Sequence, residues 1–245
     1  MKKSLFITGT NRGMGLGLVK ELLKNTSIGT LIAGARNLEN AQQELRKISD
    51  PRLHFVEIDV QKEETIKDAF LKVFIEDIVG SSGLDILFNN AGVLIPVSVE
   101  TEIDRDAARL NFDVNAIGTL SVIQNFKPLL DKAVVKNGSA QIVNISSILA
   151  SMQKTFGSFG DRHFTGYAMS KAAVNMLTRC LSIDWKDQGI RVTTISPGWV
   201  QTTMGGEGAT TTVDESASGL ATFVMKLGEE HNGKYFNFDS APIEW

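Results

Sequence analysis

The chain has one cysteine, five prolines, three histidines and two tyrosines in 245 residues, and each scarcity removes a class of protein. A single Cys180 forms no internal disulfide, so a disulfide-stapled secreted scaffold is excluded and a reducing, cytoplasmic setting is expected. His54, His163 and His231 lie far apart without metal-ligand spacing, and no metal is expected. No run of Lys and Arg exceeds two residues, and 25 basic against 28 acidic side chains leave a net charge of −3. The continuous basic stripe that nucleic acid requires is therefore missing. No apolar stretch is long enough to span a bilayer. Residues 1–7 imitate a targeting segment, but the apolar run stops at Thr8, short of an h-region of about 7–15 residues. With 42% hydrophobic and 22% charged residues, the chain can bury a core, and disorder is not expected.

What is present alternates. Residues 4–8, 31–35, 53–58, 84–88, 141–146, 191–196 and 234–237 are apolar runs rich in β-branched side chains and predict seven strands. Between them, residues 16–25, 38–48, 64–79, 104–130, 167–187 and 216–227 carry apolar side chains at i, i+3, i+4 intervals and predict helices. The strands are apolar on both faces, as in a parallel sheet covered by helices on each side, so a doubly wound, Rossmann-like α/β fold follows. No linker or shift in composition divides the chain, and residues 1–245 are expected to form a single domain. Residues 152–163 and 201–213 break the pattern with Gly and Thr and predict loops beside a site.

Directly after the first strand, Thr8-Gly9-Thr10-Asn11-Arg12-Gly13-Met14-Gly15-Leu16-Gly17 leads into a helix. Gly9 suits a tight turn, Gly13 lets backbone approach a phosphate, Gly15 allows close helix-to-strand packing, and the helix N-terminus faces the anion. Turn glycines also occur for conformational reasons alone, so the remaining motifs carry weight. In order come Asn89-Asn90-Ala91-Gly92, Asn115-Ala116-Ile117-Gly118 with Pro128 downstream, Asn144-Ile145-Ser146-Ser147, Tyr167-Ala168-Met169-Ser170-Lys171, and Pro197-Gly198 with Thr202. With the TGxxxGxG spacing of the turn, the set resembles the short-chain dehydrogenase/reductase family over nearly the whole chain. Residues 11–20 and 239–245 look most like the sniffer-type NADPH-dependent carbonyl reductases within it.

That resemblance implies a catalytic set of Asn115, Ser147, Tyr167 and Lys171. Ser147 would polarise a carbonyl oxygen, Tyr167 would be the general acid, and Asn115 would relay through water to Lys171. Tyr167 and Lys171 share a helical face, so the ammonium is expected to favour the ionised phenol and bring its pKa of about 10 toward neutrality. Ser146 competes with Ser147 because side chains alternate along a strand, and Asn111 with Asn115; the family pattern favours the second of the two serines. Where NAD enzymes carry an acidic residue after the second strand, this chain has Gly34-Ala35-Arg36-Asn37. Arg36 and Arg12 would offer cations to a 2′-phosphate, and NADPH is the expected cofactor. By resemblance, Gly9, Asn11, Gly13, Met14 and Gly15 would hold its phosphates, and Asp59, Val60, Asn90, Ala91 and Gly92 its adenosine. Pro197, Gly198 and Val200 would meet the nicotinamide end, where Tyr167 and Lys171 reach the ribose, and Thr202 the phosphate or carboxamide end.

Ser147 and Tyr167 are 20 positions apart, farther than in compact members of the family. The added Phe156, Phe159 and Phe164, with Met152, Trp199 and Met204, form either an aromatic wall for an apolar substrate or a cover over the sheet end. The implied function is NADPH-dependent reduction of a ketone, aldehyde or quinone. A 3-hydroxysteroid or 3-oxoacyl oxidoreductase is the alternative within the family. A non-catalytic NADP(H)-binding regulator is the alternative outside enzymes, though it has no need of Ser147, Tyr167 and Lys171 together. The expected partners are a small carbonyl compound and, through an apolar stripe at Met176, Cys180 and Ile183, a second copy of the chain; core packing explains that stripe equally.

Overall fold

Strand β1 (Lys3–Thr8) sends Leu5 and Ile7 to one face of the sheet and Phe6 to the other, and all three are fully buried. Both-sided burial follows from a sequence with no polar alternation, and each such side chain contributes about 1.5–3 kcal/mol. The computed structural model describes residues 2–37, 44–45, 47–75, 78–100, 102–154 and 164–245. The other strands are β2 (Ile28–Ala35), β3 (Leu53–Glu57), β4 (Ile86–Asn89), β5 (Ala140–Ile145), β6 (Ile190–Ser196) and β7 (Tyr235–Asn237). They form one seven-stranded sheet in the order β3-β2-β1-β4-β5-β6-β7, with every pairing parallel. The doubly wound, Rossmann-like fold read from the alternation is the fold observed. Strand order reverses between β1 and β4, and the crevice beyond their carboxyl ends is where such sheets place a site.

Helices α1 (Gly13–Leu23) and α6 (Val213–Val224) cover the Leu5 face through Leu18, Leu22, Leu220 and Phe223. On the Phe6 face lie α2 (Glu63–Ile75) and α4 (Gly118–Asn137), the latter placing Phe126 with its ring centre 4.5 Å from that of Phe6. α3 (Arg105–Phe112) and α5 (Thr165–Asp184) complete the set. Of the expected helix 38–48, residues 38–43 and 46 lie outside the described residues. The stripe on α5 faces solvent, with Met176 61% and Ile183 64% exposed and Cys180 exposed, so core packing is not its explanation. No described helix is long and apolar enough to cross a membrane.

The single helix expected over 104–130 is a composite. Asp104 caps α3 by accepting from the backbone N–H groups of Asp106 and Ala107, and the chain then widens into a π-helical turn at Asp113–Ile117 before α4 begins. Such an interruption is typical of functional positions, and Asn115 lies inside it. α4 runs through Pro128 to Asn137 and ends at Gly138 in a left-handed conformation, seven residues beyond the expected limit of 130.

Candidate active site

The carboxyl ends of β1 and β4 meet through the glycine turn. Gly9 has φ +71°, and a Cβ there would lie 2.8 Å from the Ala91 Cα, so only glycine lets the two loops touch. A Cβ on Gly15 would lie 2.1 Å from the Gly9 carbonyl oxygen, the close helix-to-strand contact expected of that residue. Thr8 Oγ1 accepts from the backbone N–H of Asn90 and Ala91, and Asn90 Nδ2 donates to the carbonyls of Thr8 and Gly9. The Asn90 amide is thus committed to shaping the turn. Arg12 stands at the N-cap of α1 with no side-chain cap and no acidic residue in the first turn, leaving a helix N-terminus suited to an anion.

A cavity of ≈ 920 Å³ runs from this turn across the sheet end. At one end it is lined by Gly9, Asn11, Arg12, Gly13, Met14, Gly15 and Arg36, with Asp59, Val60, Asn90, Ala91 and Gly92 alongside. Away from the turn it is lined by Ser147, Tyr167, Lys171, Pro197, Gly198 and Val200, with Phe164, Trp199 and Met204, while Thr202 stands against the turn: a Cβ on Gly13 would lie 3.3 Å from Thr202 Cγ2. Residues far apart in the chain are thereby brought to one continuous surface. Phe156 and Phe159 lie outside the described residues. Met152 does not belong to the wall: it is 75% exposed, because its neighbour Ser151 turns inward to donate to the Glu244 carbonyl at 2.6 Å. Leu94, Ile95, Ile148 and Leu149 supply the apolar lining instead. They follow directly on the Asn-Asn-Ala-Gly and Ser-Ser motifs, which was the available signal for them.

Ser146 and Ser147 separate as strand alternation requires. Ser146 is buried and donates to the Lys171 carbonyl at 3.3 Å, whereas the half-buried Ser147 opens onto the cavity beside the Tyr167 phenol. Burial pushes the Tyr167 phenol up to about 12, and the Ser147 hydroxyl opposes the rise. The lowered phenol expected from the Lys171 pairing is therefore not what the structure shows. Lys171 Nζ donates to the Ile145 carbonyl at 2.8 Å and lies 5.9 Å from the Tyr167 ring centre, so desolvation of the phenol dominates. Burial also lowers Lys171 to about 8.

Asn115 does not line the cavity but stands behind its wall, fully buried. Its Oδ1 accepts from the Val93 N–H at 2.8 Å, and its Nδ2 donates to the Val93 carbonyl and to Ser170 Oγ, both at 2.9 Å. Asn111 makes the equivalent pair of bonds with Ile95. Both asparagines thus pin the loop after β4, and Asn115 is the nearer to the site: a Cβ on Gly92 would lie 3.1 Å from Asn115 Oδ1 and 3.4 Å from Lys171 Nζ.

The buried ammonium predicts a stability effect. The unfolded chain holds the Lys171 proton to about 10.5 but the folded chain only to about 8, so the charged form opposes folding below pH 8 and the opposition fades as pH rises to 10.5. Lys171→Met should stabilise the fold at pH 7 by about 1–2 kcal/mol, after allowing for the lost bond to Ile145, and should destabilise it by up to about 1 kcal/mol at pH 10.5, where the lost bond is no longer offset. Denaturant unfolding at both pH values reads this directly; destabilisation at pH 7 would refute it.

Comparison with known proteins places this geometry. The chain is 34% identical to the carbonyl reductase Sniffer of D. melanogaster, with all of both chains covered and a TM-score of 0.90. It is 34% identical to an NADPH-bound carbonyl reductase from chicken fatty liver, covering 100% of this chain and 94% of that one, with a TM-score of 0.92. Among curated proteins, an uncharacterized oxidoreductase of Schizosaccharomyces pombe is 29% identical over 262 residues, 99% of this chain and 98% of its own length. Residues 3–233 match the short chain dehydrogenase model, and the chain therefore belongs to the short chain dehydrogenase family of oxidoreductases.

Proposed function

We propose that the protein is an NADPH-dependent carbonyl reductase, acting in a reducing, cytoplasmic setting on an apolar ketone, aldehyde or quinone. The observation that carries the reading is one cavity with two chemically distinct ends. One end holds the Ser147 hydroxyl and the buried Tyr167 phenol, with Lys171 one helical turn on; the other holds the uncapped α1 N-terminus with Arg12 and Arg36. The second end fits the phosphates of a dinucleotide, because backbone N–H groups and guanidinium forks are donors that match them. Bound there, NADPH would supply the hydride.

The chain's own residues do the rest. Ser147 donates to the carbonyl oxygen and holds it beside Tyr167 as negative charge builds on it. Tyr167 releases its Oη proton to that oxygen. A phenol at about 12 is fully protonated at neutral pH, which is the form a reductase needs. The Lys171 ammonium then faces the phenolate and stabilises it. Asn115 supports proton delivery by fixing the wall of Val93 and Ser170 behind Lys171, its amide being committed there. Leu94, Ile95, Ile148, Leu149, Phe164, Trp199 and Met204 make the substrate end apolar and exclude water.

The test is NADPH oxidation over quinones, α-dicarbonyls, aromatic aldehydes and steroid ketones. Turnover of flat, apolar carbonyl compounds above small hydrophilic ones is expected. Preferred turnover of steroid ketones would move the assignment to a hydroxysteroid oxidoreductase, and binding of NADPH without any turnover would overturn the enzyme reading.

A further inference from the structure

The protein's second tyrosine is buried beside the first. Tyr235 opens β7, is 2% exposed, and donates its phenolic O–H to the carbonyl of Ser147. Burial pushes this phenol up, and the Ser146 and Ser196 hydroxyls oppose the rise. The Ser147 carbonyl accepts a second bond, from the Ala150 N–H at 2.8 Å, so both of its lone pairs are engaged. The peptide plane after Ser147 is held from two sides while Ser147 Oγ accepts from the Leu149 N–H at 3.3 Å.

The closing residues brace this phenol. The chain folds back after β7, with the Ile243 N–H donating to the Tyr235 carbonyl at 2.9 Å and the Phe236 and Pro242 backbones paired. Trp245 is thereby stacked on the Tyr235 ring, the centres 5.4 Å apart and the planes 23° from parallel. The Ser151 hydroxyl anchors the same tail through the Glu244 carbonyl. The chain end is therefore packed against a ring whose hydroxyl holds the backbone of the site serine.

We propose that Tyr235 is a positioning residue for Ser147, fixing through its carbonyl the direction in which the Ser147 hydroxyl meets Tyr167 and the substrate, with residues 243–245 as its brace. The inference rests on the reductase reading of Ser147. A hydroxyl displaced by a fraction of an ångström still binds the ground state but no longer meets the developing oxyanion, so turnover should fall while affinity is kept.

The experiment is a double-mutant cycle. Tyr235→Phe keeps the ring and its stack on Trp245 and removes only the O–H. With the carbonyl compound turned over fastest by the parent, kcat should fall about tenfold, while KM and the NADPH dissociation constant stay within about twofold. In a Ser147→Ala background the same substitution should change kcat by less than about twofold, because the hydroxyl to be positioned is gone. An equal loss in both backgrounds, or none in the parent, would overturn the proposal. If Ser147→Ala alone keeps parental turnover, the reading of Ser147 fails instead, and this proposal with it. Should Tyr235→Phe fail to fold, Trp245→Ala, which keeps the phenol but removes its brace, takes its place in the cycle with the same two readings.

Discussion

Tyr167→Phe should lower kcat for carbonyl reduction by at least about 10²-fold while leaving NADPH affinity nearly unchanged. The substitution removes one oxygen from a buried ring in the cavity wall, so the cavity keeps its shape, and the loss falls on proton transfer alone. Retained turnover would end the assignment of Tyr167 as the acid. The pH profile of the unsubstituted protein tests the same chemistry. In the proposed mechanism both groups act protonated: the phenol at about 12 stays so throughout, whereas Lys171 loses its charge near pH 8. Reduction should therefore be flat through pH 7 and decline above about pH 8. A rate that climbs between pH 7 and 9 would contradict this sign.

Arg36→Ala should weaken NADPH binding about 10- to 100-fold and leave NADH binding unchanged. A guanidinium bound bidentately to a phosphate contributes about 1.5–3 kcal/mol, and NADH has no 2′-phosphate to use it. Arg36 directly follows β2 and lines the cavity, with Arg12 lining the same end. A switch toward NADH requires the acidic replacement at position 36. Ala35, the neighbouring candidate, is 1% exposed in the core, where a carboxylate would be buried without a partner. Dissociation constants for both cofactors at two salt concentrations decide it, since the phosphate contribution shrinks under screening. Equal affinity of the unsubstituted protein for NADPH and NADH would leave Arg36 a solvated surface residue.

The strands were legible because both of their faces are buried, and a run such as Leu5-Phe6-Ile7 fits the interior of a sheet covered on both sides. Helix ends were less so. The apolar period places the start of α6 at residue 216, three residues late, because it begins only after the capping box formed by Thr212 and Glu215. The π-helical turn at Asn115 left no trace in the periodicity, since one widened turn shifts apolar spacing by less than the tolerance of the pattern.

For the site, residue types and their order are local information, and the sequence by itself determined the α/β fold, the family and the residues that gather at the sheet end. Directions and environments are not local. Only the tertiary structure turned Met152 outward, bound the Asn90 and Asn115 amides to backbone, and brought Tyr235 from the last strand to the Ser147 carbonyl. It also decided the sign of the Tyr167 shift. An i, i+4 spacing sets which side chains are near each other, but the energy of a charge depends on how much water surrounds it, and that is fixed by every element packed around the site.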